Sequence, residues 1–135
     1  MRRMFDTNAV SALVHHRRGF DRLAAVADAL EIDDRLVSAI TMSELETMIA
    51  KAADPGSKSA KVRLVLAHFN IVDFGEAAAL HAGAIRAHLE QRGLAIGPLD
   101  TLIAAHARSL DAAVVTDKVA EFNRVPDLTV ENWLR

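Results

Sequence analysis

Five short runs with strand character, Met4-Phe5, Leu36-Val37-Ser38, Ile71-Val72, Ala113-Val114-Val115-Thr116 and Leu128-Thr129-Val130, are separated by longer stretches of helical periodicity. The runs are mostly apolar rather than alternating, the pattern expected of strands covered on both faces. A parallel sheet clad by helices on each side meets that requirement, so the expected fold is a three-layer α/β domain. Apolar residues recur at three and four in Phe20, Leu23, Ala27, Leu30, in Leu45, Met48, Ile49, Ala52, and in Val62, Val65, Leu66, Phe69. A longer stripe of Ala78, Ala82, Ile85 and Leu89 stops near Arg92-Gly93, a cation and a glycine placed as helix ends prefer. Gly97-Pro98 opens a further helix, Leu99 to Leu110. Asp54-Pro55-Gly56-Ser57 reads as a turn between two helices and not as a domain boundary. At 135 residues, with no internal repeat, the chain is expected to form one domain over 1–135.

Bulk chemistry excludes several function classes. Zero cysteines rule out thiolate catalysis, disulfides and Cys-type zinc sites, and fit a reducing compartment. No apolar run approaches the roughly 20 residues of a membrane span. The start, Met1-Arg2-Arg3-Met4-Phe5-Asp6, turns acidic before a signal-type apolar region develops, so a cytoplasmic chain without a leader is expected. A formal charge of -2 argues against a polyanion binder that works by net charge. His15-His16-Arg17-Arg18 with Arg22 is the one dense basic cluster, read as a solvated helix end or as a nucleic-acid or partner contact. Neither a P-loop nor G-x-G-x-x-G is present.

The acids carry the chemistry. Asp6 follows the first strand, Asp100 lies in the first turn of a late helix, Glu44 falls near a middle helix start, and Asp117 follows the fourth strand. Each has a structural role available: Asp6 or Asn8 as a helix cap, Glu44 in a capping box with Thr41, Asp100 as a dipole partner, Asp117 as a turn residue. Together they fall where strands end and helices begin, the edge at which open parallel sheets bind ligands. Carboxylates gathered there repel one another without cations, and Mg²⁺ or Mn²⁺ both removes that cost and supplies chemistry, activating water and neutralising charge on a phosphoryl oxygen. His81 and His88, seven residues apart on one helix face, stand about 10 Å apart, too far to share a metal. His106 is read as packing and Trp133 as an anchor of the C-terminal segment. A phosphotransfer receiver or haloacid-type phosphatase is a poor match, because Asp6 lacks a paired acid and Asn8 stands where the phosphatase needs a second one.

The chain resembles the PIN-domain ribonuclease toxins of the VapC type. The similarity spans nearly the whole length. It rests on Phe5-Asp6-Thr7-Asn8, on Ser38 to Leu45, on Ile96-Gly97-Pro98-Leu99-Asp100 with Leu102-Ile103-Ala104-Ala105-His106-Ala107, and on Val115-Thr116 with Phe122 to Pro126 and Val130-Glu131-Asn132-Trp133. That resemblance implies an α/β/α sandwich on a central parallel sheet of four to five short strands. It implies a Mg²⁺- or Mn²⁺-dependent endoribonuclease that cuts structured RNA such as tRNA or rRNA to a 5′-phosphate and a 3′-hydroxyl, forms a homodimer and is held by a VapB-type antitoxin. Asp6, Glu44 and Asp100 match the metal-binding acids of such toxins, and Asn8 and Thr116 match positions that orient the site.

One position departs from the pattern. Such toxins commonly place Asn or Asp two residues after the Thr that ends the fourth strand, and here that place holds Lys118, with Asp117 one residue early. Either Asp117 is a fourth, weaker ligand, the reading preferred here, or three acids share the site with an ammonium group; Glu121 is a reserve candidate. The alternative to an active nuclease is a degenerate PIN domain that binds RNA or a protein without cutting, Lys118 replacing the metal charge.

Overall fold

The computed structural model describes residues 1–133. Five strands, β1 (Arg3–Phe5), β2 (Arg35–Ser38), β3 (Asn70–Val72), β4 (Ala113–Val115) and β5 (Val130–Glu131), form one sheet in the order β3-β2-β1-β4-β5. Every pairing is parallel, with Met4 opposite Leu36 on one side and Val114 on the other. Seven helices connect them: α1 (Thr7–Val14), α2 (Phe20–Asp28), α3 (Ala39–Lys51), α4 (Pro55–Leu66), α5 (Glu76–Gln91), α6 (Pro98–Ser109) and α7 (Val119–Phe122). No described helix is long and apolar enough to cross a membrane.

Alternation along the strands sorts the core into two layers. Phe5, Val37 and Val115 face one way, against Val10 and Leu13 of α1, Leu23 of α2, Leu45 of α3 and Val62 of α4. Met4, Leu36 and Val114 face the other, against Ile85 and Leu89 of α5, Ile103 of α6 and Phe122 of α7. A central strand with both faces apolar has no solvent side, which is why these runs lack alternation in the sequence. Phe5 meets Phe69 and Trp133 edge-on, at 4.9 and 5.4 Å between ring centres. Trp133 is buried and ties the C-terminal segment to the first strand, as expected.

Three expectations need correction. β3 is an edge strand, and Ile71 is exposed rather than covered on both faces. The last strand begins at Val130 and extends to Glu131, two residues later than Leu128, because its register is set by Val115 opposite Glu131. The break at Asp54 is a helix start: Asp54 accepts from the Ser57 amide, and Pro55 occupies the first turn, where its missing N–H costs nothing.

The order places β1 at the centre, with chain connections diverging to either side. In an open parallel sheet, the crevice beyond the carboxyl ends of the strands at such a reversal is where ligands bind. Asp6 immediately follows β1, and Thr116 immediately follows β4.

Candidate active site

Asp6 is buried at the N-cap of α1. Its Oδ1 accepts from the Ala9 amide at 2.9 Å, satisfying one of the amides a helix start leaves free. Its Oδ2 accepts from the Thr116 hydroxyl at 2.5 Å, and Thr116 Oγ1 in turn accepts from the Lys118 amide at 2.9 Å. The cap reading of Asp6 therefore holds, and capping through Oδ1 is compatible with the expected site role. Burial pushes the Asp6 carboxyl up to about 7; the Thr116 and Ala9 hydrogen bonds resist, and Asp100 and Asp117 add repulsion.

Asp100 sits in the first turn of α6, behind Pro98. Its Oδ2 accepts from Lys118 Nζ at 3.1 Å, and Asp100 is the more buried partner. The Asp100 hydrogen bond, opposed by burial, holds the Lys118 ammonium more firmly charged than usual, with Asp6 and Glu44 adding their fields. Lys118 thus feels three of the four acids, evidence that they share one crevice.

Glu44 corrects the capping-box expectation. The cap of α3 is Ser38, whose hydroxyl accepts from the Ile40 amide at 3.0 Å, so Thr41 lies inside the helix and Glu44 one turn further on. Ser38 ends β2, and the chain enters the helix with no intervening loop, moving the start three residues earlier than the Thr-x-x-Glu spacing suggests. Glu44 Oε1 instead accepts from the Thr7 hydroxyl at 2.5 Å, with Thr41 Oγ1 3.2 Å from the same group. Thr7 lies in the Phe5-Asp6-Thr7-Asn8 motif, but no local signal gives it this partner: it is a first-turn residue of α1 that tertiary packing brings to α3. Thr7→Val should lower cleavage about tenfold, the effect of about one missing hydrogen bond to a charged group, while Thr7→Ser keeps it. Equal turnover by Thr7→Val and wild type would remove this role.

Asp117 is exposed, and its Oδ1 accepts from Asn8 Nδ2 at 3.1 Å. Asn8 is therefore the orienting residue of Asp117, which is the acid nearest to solvent. Glu121, the reserve candidate, lies in the first turn of α7. His106 is buried behind the crevice, its Nδ1 2.8 Å from Ser38 Oγ and its ring edge-on to Phe74; burial lowers its proton affinity, against a backbone contact at Asp73. That is a packing role, as expected. His81 accepts from Arg108 Nε at 2.9 Å, away from the acids.

The four carboxylates line one edge without closing into a cage: among the described residues no three His, Asp or Glu side chains are gathered tightly enough to hold an ion as they stand. Lys118 supplies the positive charge that Asp100 faces. An apolar hollow of about 520 Å³ between α5 and α6 and another of about 310 Å³ beneath α1, α2 and α4 are lined by none of these four acids.

Residues 3–128 match the PIN domain family. The chain is 37% identical over 97 residues to ribonuclease VapC2 of Rickettsia felis, covering 72% of each protein. It is 37% identical over 97 residues to the tRNA(fMet)-specific endonuclease VapC of Salmonella typhimurium, covering 72% of this chain and 74% of that one. In three dimensions it superposes on the VapBC-1 structure from nontypeable Haemophilus influenzae with a TM-score of 0.89 and 32% identity, over 100% of both chains.

Proposed function

We propose that this chain, which belongs to the PIN-domain family and within it to the VapC ribonucleases, is the endoribonuclease toxin of a toxin–antitoxin pair and cuts structured RNA with Mg²⁺ or Mn²⁺. The similarity to a tRNA(fMet)-specific endonuclease makes tRNA the first substrate class to test. The superposition on VapBC-1 supports a VapB-type antitoxin as the partner. A homodimer in the cytoplasm completes the proposal.

The observation that carries the metal is Asp6. A buried carboxyl repelled by two others and facing the field of a nearby ammonium is a site built for positive charge. The donors are hard oxygens, the ligands that Mg²⁺ and Mn²⁺ prefer. Asp6, Glu44 and Asp100 would hold the ion, with Asp117 as the weaker, solvent-facing fourth. When bound, it would activate water and neutralise charge on the phosphoryl group under attack.

The remaining roles belong to the chain's own side chains. The Ala9 amide and Thr116 hydroxyl fix both oxygens of Asp6, so that carboxylate needs no reorganisation. Thr7 anchors Glu44 from across the crevice, and Asn8 anchors Asp117. One residue pair of α1, adjacent to Asp6, thus aligns acids from two other elements. Lys118 balances Asp100 and, being partly exposed, can swing toward a phosphate when the acid takes up a cation.

A second reading has one observation in its favour, the Lys118–Asp100 pair, which is what a degenerate domain with an ammonium in place of a metal should show. Cleavage of total RNA and of tRNA by the purified chain separates the two. The nuclease reading expects cutting in Mg²⁺ or Mn²⁺ and none in EDTA. Undiminished RNA binding in EDTA, with no cutting under any metal, would replace it with the degenerate domain.

A further inference from the structure

Among the described residues, the Lys and Arg side chains of this chain fall into three groups. Arg3, Arg63, Arg86 and Lys118 pair with carboxylates. Arg2, Arg35, Arg92, Arg108 and Arg124 donate to backbone carbonyls. Among the described residues the remaining six, Arg17, Arg18, Arg22, Lys51, Lys58 and Lys61, contact neither a carboxylate nor a carbonyl. All six fall in two stretches, 17–22 and 51–61, that flank the C-terminal end of α1.

Packing joins the two stretches into one surface. Lys58 Nζ stands 2.6 Å from His15 Nε2, while His15 Nδ1 lies 3.0 Å from the Ser11 carbonyl oxygen at the end of α1. The imidazole can accept from Lys58 only while it is uncharged. Burial and the fields of Lys58, Arg17 and Lys61 all push it in that direction. An ammonium is therefore held in place by a neutral acceptor that supplies no counter-charge. Lys58 and His15 are half-buried, and the other five cations are exposed. Of the acids on these elements, Asp54 caps α4 through the Ser57 amide and Glu46 pairs with Arg63, while Asp21, in the first turn of α2 between Arg18 and Arg22, and Asp28 at its end offset part of the patch's six positive charges. A segregated positive patch on a chain of net charge -2 gains most from a polyanion.

We propose that this patch is an anchoring site for the RNA backbone, separate from the acids, where Lys58, Lys61, Arg17 and Arg18 hold phosphates of the chain that is cut at Asp6. The inference rests on the ribonuclease reading. Its geometry is that of α1, which runs from Asp6 at one end to His15 at the other; nine residues at the helical rise span about 13 Å. A strand held at both ends of α1 is fixed in register over the crevice without any base being read.

The test is binding of a fluorescein-labelled single-stranded RNA to the whole chain in EDTA, where nothing is cut, over a range of salt concentrations. Lys58→Ala/Lys61→Ala should bind about tenfold more weakly and lower the slope of log affinity on log salt by about 1.4, roughly 0.7 for each phosphate that is no longer neutralised. Lys58→Arg/Lys61→Arg, which keeps both charges, should retain affinity and slope, so that a folding defect is not mistaken for the absence of a phosphate partner. Unchanged affinity and slope in the alanine variant, beside a wild type that cleaves RNA, would overturn the anchor and leave the nuclease intact. Poly-glutamate displacing the RNA at lower concentration than unlabelled RNA does would also overturn it, assigning the patch to an acidic protein. A wild type that never cuts, with the slope change intact, would support the anchor and remove the ribonuclease reading instead.

Discussion

Asp6→Asn should give a protein that no longer cuts RNA yet melts at a higher temperature than wild type in EDTA at pH 8. Activity falls because the substitution removes charge from the one acid fixed at both oxygens; a loss on the order of 10³-fold, about 4 kcal/mol of barrier, is expected. Stability moves the other way. Folding lifts this carboxyl from 3.8 to about 7, so the folded chain takes up a proton that the unfolded chain releases between those values. Its contribution to stability therefore declines as pH climbs through that window and stays low above it, by up to about 4 kcal/mol for the metal-free protein. Asparagine removes the charge while its carbonyl still accepts from the Ala9 amide. Its amide group must face Thr116, whose hydroxyl can turn to accept, and that rearrangement leaves a net gain of about 1–3 kcal/mol. For a domain of this size that is several degrees in melting temperature. Near pH 4 the advantage should vanish, because Asp6 is then protonated when folded. Adding Mg²⁺ at pH 8 should stabilise wild type and leave the variant unmoved. A variant that melts lower than wild type at pH 8 would show that the burial cost has been misassigned.

Much of this arrangement is readable before any coordinates. The strand at Met4-Phe5 and the one at Ala113 to Val115 declare themselves because both faces are buried, and unbroken apolar runs record that. Asp6 and Asp100 are recognisable because a strand end and a proline-led helix start are local signals. Glu44 is less legible. Its local position suggests a cap, the resemblance over Ser38 to Leu45 suggests a metal-binding acid, and the contact with Thr7, 37 residues away, is visible in neither. The partner of Thr7 lies beyond local reading because it sits on a different element, whereas the sequence offers Lys118 as an ammonium among the acids and leaves to the fold only which acid it meets. The edge strand β3 looks like the central ones in sequence, since a short apolar run does not reveal that one of its neighbours is missing. The basic residues after α1 stand out as a cluster, whereas Lys58 and Lys61 join them only through the packing of α4 on α1.

Asp100→Asn and Lys118→Ala should separate in opposite directions, although they break the same pair. The Asp100 carboxylate is the more buried partner and accepts from the ammonium, so its loss removes a proposed metal ligand and leaves Lys118 without its counter-charge. Cleavage should fall on the order of 10³-fold, about 4 kcal/mol, and Mg²⁺ should no longer raise the melting temperature. Lys118→Ala removes a competitor instead. The ammonium donates to the same carboxylate that the proposed ion would use, and Asp6 and Glu44 also attract it. Because Lys118 is substantially exposed, solvent screens the pair, and its worth to the folded protein is at most about 1 kcal/mol. Half-maximal Mg²⁺ for cleavage should therefore drop several-fold, up to about fivefold, when the lysine is removed. Maximal turnover at saturating metal should change less than the half-maximal concentration does, unless the side chain also touches the scissile phosphate, in which case both fall. The degenerate reading makes the reverse demand: with Lys118 serving as the site's only cation, its loss should weaken RNA binding in EDTA and leave metal irrelevant. Titrating Mg²⁺ against cleavage for the two variants and wild type decides between a lysine that stands in the metal's way and one that stands in its place.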